Sequence, residues 1–193
     1  MQNQTLAGTA LLVMDVQNAI VKTLKDPNYY LHSIARTLKA ARHASIPVIF
    51  VTIGFRKGFP EVHPNNKAFS AIKDSGSILD TPEGCQVPQS IAPRPDETIV
   101  TKKRFSAFTG SDLEVILRAK QINHLVLAGL STSGVVLSTI REASDKDFQL
   151  TVLVDGCEDR DEQLHQVLME KIFPRQATIT TIDDWSAYLA ALS

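Results

Sequence analysis

Six short apolar runs, rich in β-branched residues, recur along the chain with helix-period segments between them. They are Ala10–Asp15, Pro47–Ile53, Thr98–Lys102, His124–Leu130, Leu150–Asp155 and Ala177–Thr181. Runs this short, without polar alternation, suit strands buried on both faces. Between them, Leu31, Ile34, Ala35 and Leu38 recur at helical spacing, as do Leu113, Ile116 and Leu117, and Leu164, Val167, Leu168 and Ile172. Each set predicts an amphipathic helix that lays one face on a sheet. Asp183, just ahead of Trp185–Leu192, reads as the N-cap of a last helix. Strands that alternate with helices are joined by crossovers, and crossovers join parallel neighbours. The expected fold is α/β: three layers, α/β/α, around a six-stranded, mainly parallel sheet. With 193 residues and no repeat or linker, a single domain over residues 1–193 holds it.

One stretch breaks the alternation. Gly54–Pro95 is rich in Pro, Gly and Asn, with one short helix expected around Ala68–Lys73. An excursion that long inside a compact domain serves as a functional loop, a lid or an oligomer contact. Its aromatics Phe55, Phe59 and Phe69 are expected to be exposed and to offer a contact surface.

Charge narrows the partners. Lys plus Arg is 20 and Asp plus Glu is 21, a formal net charge of -1. A balanced chain has no global field to gather nucleic acid or an anionic membrane, so neither is an expected partner. The apolar runs are far too short to span a bilayer. Met1–Ala10 lacks the basic start and long apolar stretch of a signal peptide, so a cytoplasmic location is expected. Cys85 and Cys157 are too few for a disulfide framework or a cysteine zinc site and read as small buried hydrophobes. His43, His63, His124 and His165 show no ligand spacing, so no metal and no cofactor is expected.

In an open parallel sheet, ligands bind beyond the carboxyl ends of the strands. Asp15 ends the first run, followed by Gln17 and Asn18; Lys102 ends the third; Asp155 ends the fifth. A carboxylate straight after an apolar run is costly unless paired, and Lys102 is its natural partner. The pair fits either catalysis or a structural ion pair that closes the mouth of the sheet. The fourth run ends in Gly129-Leu130-Ser131-Thr132-Ser133-Gly134, where a helix starts. Small residues there let backbone approach a ligand and aim N–H groups into the cleft, or simply make a tight strand-to-helix turn. Val135-Val136 stands where a P-loop needs Lys-Ser/Thr, and no G-x-G-x-x-G follows the first run.

Three motifs in order carry a resemblance: LLVMDVQNAI (Leu11–Ile20), TIVTKKRFSAFTGSDLEVIL (Thr98–Leu117) and AGLSTSGVVLSTIREA (Ala128–Ala143). Together they resemble the isochorismatase-like, or cysteine hydrolase, superfamily, which includes isochorismatases, nicotinamidases and N-carbamoylsarcosine amidases. The resemblance implies that Asp15 and Lys102 are catalytic. It implies that the turn Leu130, Ser131, Thr132, Ser133 and Gly134 forms an oxyanion site, with a cis peptide at Leu130–Ser131. It also implies a homodimer or higher homo-oligomer. The family's nucleophilic Cys falls six residues after the first Gly of the third motif, which is Val135 here. Valine has no nucleophilic atom, so a thioester route is closed. Isochorismatase members also lack the Cys and are expected to have Gly there; valine shrinks the pocket floor by comparison.

The expectation is a hydrolase for a small molecule, cleaving a C–N or vinyl-ether C–O bond without a cysteine nucleophile. Asp15 is acid or base, Lys102 orients it, and the N–H groups of Ser131 and Val135 polarise the substrate. The alternative is a catalytically silent member that binds a ligand or a partner. Lys102 lowers the pKa of Asp15 and burial raises it, and the balance decides between acid and base.

Overall fold

Each apolar run forms a strand in the computed structural model, which describes residues 6–75 and 82–192. The strands are β1 (Thr9–Met14), β2 (Val48–Ile53), β3 (Thr98–Lys102), β4 (His124–Leu130), β5 (Gln149–Glu158) and β6 (Thr178–Thr180). They form one sheet in the order β3-β2-β1-β4-β5-β6, and every pairing is parallel. The helices are α1 (Asn18–Val21), α2 (Pro27–His43), α3 (Lys67–Asp74), α4 (Pro82–Cys85), α5 (Leu113–Ala119), α6 (Leu137–Asp145), α7 (Glu162–Val167) and α8 (Ile182–Leu192). Residues 1–5 of the expected leader-free start, and residues 76–81 of the Gly54–Pro95 excursion, lie outside the described residues.

The pleat divides the core into two layers. Leu11 and Val13 of β1 and Val126 and Ala128 of β4 face Ile34 and Leu38 of α2 and Trp185 and Leu189 of α8. Leu12 and Met14 of β1 and Leu125 and Leu127 of β4 face Leu113 and Leu117 of α5 and Ile140 and Ala143 of α6. The central strands β1, β2 and β4 are buried on both faces, apart from the half-buried His124. β3 is an edge strand, and its Ile99 is 56% exposed.

Three local readings change. The last helix is capped by Thr181, not Asp183: the Thr181 hydroxyl accepts from the Asp184 N–H at 3.1 Å, and Asp183 sits in the first turn. Acid in a first turn favours the helix dipole, which is why Asp183 stood out in the sequence. β5 runs on past Asp155 to Glu158, with a register shift against β4 between Leu127 and Gly129. Asp155 therefore does not end the strand; its carboxylate accepts the Ile182 N–H at 2.8 Å, at the start of α8. Phe59 and Phe69 are buried, not exposed, and join Ile53 and Val62 in a third small core against which Phe55 packs.

Gly129 marks the closest approach in the sheet. A Cβ there would lie 2.4 Å from the Met14 carbonyl oxygen on β1. Neither backbone has room to yield, because both strands are central. Gly129→Ala is expected to destabilise the fold by about 1–3 kcal/mol, the usual cost of overpacking, read as a lower urea midpoint at unchanged slope.

Candidate active site

The chain leaves β1 toward β2 and β3 on one side of the sheet, and the later strands build the other. The reversal opens a crevice beyond β1 and β4, where ligands bind in such sheets. A cleft of about 540 Å3 lies there, lined by Asp15, Lys102, Leu130, Ser131, Gly134 and Val135 among others.

Asp15 turns the chain off β1. Its φ is 55°, in the left-handed region that Asp tolerates better than most side chains. Lys102 ends β3, two strands away, and its Nζ reaches Asp15 Oδ2 at 2.8 Å. Nζ also donates to the Arg104 carbonyl at 2.8 Å. Both side chains are buried, Lys102 completely and Asp15 to 6% exposure. The second carboxylate oxygen, Oδ1, is buried and has no hydrogen-bond partner among the described residues. Burial pushes the Asp15 carboxyl up to about 6, against the charge and hydrogen bond of Lys102, which pull it down. The balance that the sequence left open is struck close to neutrality.

Gln17 fixes the floor. It is fully buried, and its amide donates to the Ile53 and Cys85 carbonyls at 2.9 Å and accepts from the Ile53 N–H at 2.8 Å. One side chain thus ties the end of β1 to the end of β2 and to α4 at the far end of the excursion. Asn18 adds a bond to the Glu83 carbonyl at 2.9 Å.

Ser131 to Gly134 begin a tight turn at the end of β4. The Leu130–Ser131 peptide bond is cis. Residues Thr132–Val136 form one π-helical turn that runs into α6. The N–H groups of Gly134 and Val136 converge on the Ser131 carbonyl at 3.1 and 3.3 Å. A Cβ at Gly134 would sit 2.9 Å from Ser131 Oγ, so glycine keeps that hydroxyl in place. Thr132 and Ser133 are not among the residues that line the cleft. The buried Thr132 hydroxyl meets His165 Nδ1 at 2.8 Å, and the Ser133 N–H donates to Asp159 Oδ2 at 2.7 Å. Burial raises the Asp159 carboxyl, but the bonds from Ser133 and the neighbouring N–H groups outweigh it and hold the group below the usual carboxylate range. His165, which spacing alone left unconnected, therefore anchors the turn to α7.

The rest of the wall was not read from the sequence. Phe69 and Ile72 of α3 close one side, with Phe105 beside them and its ring 4.9 Å from that of Phe69. Arg104 holds this side down: its guanidinium donates to the Glu61 carbonyl at 2.9 Å and lies 5.8 Å over the Phe69 ring. Glu158 and Asp159 follow β5 into the rim, and the strand-end rule would have found both had β5 been read to its true end. Cys157, just before them, is buried, and burial pushes its thiol up to about 12. Among the described residues no group of His, Cys, Asp and Glu is arranged to hold a metal ion, and no helix is long and apolar enough to cross a membrane.

The profile of the Isochorismatase domain family matches residues 9–184. The chain belongs to the isochorismatase family of hydrolases. It is 28% identical over 187 residues to the uncharacterized isochorismatase family protein YecD of Escherichia coli O157:H7, covering 91% of this chain and 93% of that one. It is 30% identical to the ureidoacrylate amidohydrolase RutB of Caulobacter vibrioides, over 77% of this chain and 76% of the relative. Its fold is shared with a cysteine hydrolase from Pseudomonas syringae pv. phaseolicola, at a TM-score of 0.90 and 19% identity over 100% of this chain and 97% of the other.

Proposed function

We propose that this family member hydrolyses the C–N bond of a small amide or carbamoyl compound, with a water activated by Asp15 in place of a thiol. The observation that carries the reading is the Asp15–Lys102 pair, 2.8 Å apart in a cleft whose wall includes Val135. Counting six residues from Gly129 in the third motif puts Val135 at the position of the family's expected nucleophilic Cys, and its side chain offers no attacking atom. Asp15, in the same lining, can exchange a proton near neutral pH. With a pKa of about 6 it is mostly ionised at pH 7, which suits a general base better than a general acid. This favours C–N hydrolysis over the vinyl-ether cleavage that needs a protonated acid. RutB, named for an amidohydrolase activity, supports the same bond class.

Asp15 Oδ1 takes a proton from water, and the hydroxide attacks the carbonyl carbon. Lys102 holds Oδ2 and fixes the carboxylate plane. The Ser133 N–H is committed to Asp159, so the N–H groups of Ser131 and Val135 receive the oxyanion. Protonated Asp15 then passes its proton to the leaving nitrogen, the C–N bond breaks, and acid and amine depart. A cytoplasmic setting and an assembly of two or more copies belong to this reading. The assembly rests on the family resemblance alone, because the aromatics of the excursion are packed inside.

A panel of small amides, carbamoyl compounds, esters and vinyl ethers tests it. The expected result is turnover of an amide or carbamoyl compound, with kcat/KM rising through about pH 6 to a plateau as Asp15 loses its proton. A rate that falls as pH rises through that range would make Asp15 an acid and overturn the reading. Absence of turnover across the panel would favour the silent, ligand-binding alternative.

A further inference from the structure

The chemistry above does not use Glu158, Arg160 or the aromatic wall of the cleft. Among the described residues five charged side chains line it: Asp15, Lys102, Glu158, Asp159 and Arg160. Asp15 and Lys102 neutralise each other at the floor, and Asp159 is held by the turn. Glu158 is different. It sits beside Leu130 in the sheet, at the level of the cis bond, half-buried and with no ion pair or side-chain hydrogen bond among the described residues. Arg160, the remaining cation, is exposed at the rim, where water screens it. Of these two charges without an ion pair, Glu158 is the one partly withdrawn from water, and of the charges near it Asp26 acts more strongly than Lys25, so the field there is net negative.

Much of the rest of the lining is apolar. Ile20, Leu24, Ile53, Phe69, Ile72 and Phe105 form it. Phe105 lines the cleft, is 44% exposed and has its ring in tilted contact with that of Phe69. An apolar ligand group placed there covers both rings and removes that surface from water.

We infer that the cleft takes an uncharged or cationic amide bearing an apolar, ring-sized group, and discriminates against amides that carry a carboxylate. Phe105 supplies the contact for the ring, and Glu158 turns the anion away and accepts a donor from the substrate. This rests on the reading of the cleft as a site of amide hydrolysis. It differs from what the name of ureidoacrylate amidohydrolase states for RutB, whose named substrate is an acid.

Binding separates this inference from the catalytic one. Benzamide, 4-(aminomethyl)benzamide and 4-carboxybenzamide share a ring and an amide and differ only in charge. Calorimetric titration of each into the wild-type protein is expected to rank the aminomethyl compound first, benzamide second and the carboxylate last. The carboxylate is expected to be about tenfold weaker than benzamide, a shift typical of one like charge in a half-buried site. Glu158→Gln is expected to erase that gap and the advantage of the aminomethyl compound together, so that the three differ by less than about threefold. Phe105→Ala is expected to weaken all three by about the same factor, on the order of tenfold for a lost aromatic contact. The order of binding holds or fails whether or not any compound is turned over. A carboxylate that binds as tightly as benzamide, and loses its affinity in Arg160→Ala, would overturn the inference. So would the absence of binding by all three, or a ranking that Glu158→Gln leaves untouched.

Discussion

Asp15→Asn is expected to lower turnover of the best amide substrate by about 10²- to 10⁴-fold, the range for loss of a positioned acid–base group. Asparagine keeps the shape of the side chain and its place beside Lys102 but cannot accept a proton from water. Among the described residues Oδ1 has no hydrogen-bond partner to share the work. The residual rate comes from the turn N–H groups and from substrate positioning. Measured kcat and kcat/KM falling together, with circular dichroism unchanged, is the expected result. A variant that keeps most of its activity would remove Asp15 from the mechanism.

Lys102→Met is expected to cost about 3–5 kcal/mol of folding stability, because it leaves Asp15 as an uncompensated buried charge. The ammonium is fully buried and bonded both to Asp15 Oδ2 and to the Arg104 carbonyl, so its removal strands two acceptors. Part of the loss is recovered when Asp15 takes up a proton, so the variant gains stability as pH falls below neutrality. The double variant Asp15→Asn/Lys102→Met buries no charge and is expected to be more stable than either single one. Urea unfolding of the four proteins reads this directly. If the two single losses simply add in the double variant, the pair is not coupled as its geometry requires.

How far the sequence carries depends on whether a signal is local. Buried parallel strands announce themselves because both faces must be apolar, and β3 and β4 begin and end where their runs do. Asp15 and Lys102 were legible because a charge at the end of an apolar strand has few ways to be tolerated. Glu158 and Asp159 were not. Gly156 and Cys157 look like the close of a strand, but β5 continues through a register shift, which only its pairing with β4 shows. The aromatics of the excursion misled for the same reason. Phe59 belongs to no helix or strand, and Phe69, one turn before Ile72 on α3, closes with Phe59 on Ile53 across the chain rather than facing outward. Thr132 and His165 are 33 residues apart, and their contact depends on how β5 and α7 fold back on the turn.

The central claim is that water, not sulfur, attacks the substrate. Hydrolysis of the best amide, before and after both cysteines are fully alkylated, tests it most directly. Cys157 is buried with its thiol raised to about 12, and Cys85 lies outside the cleft lining, so neither is placed to form an acyl-enzyme. Val135→Cys serves as the internal control, since it restores a thiol beside Asp15 at similar volume and any activity it adds is lost on alkylation. The wild-type rate is expected to survive alkylation with no covalent substrate adduct in the mass spectrum of the protein during turnover. Loss of that rate, or an adduct mapped to Cys85 or Cys157, would contradict it.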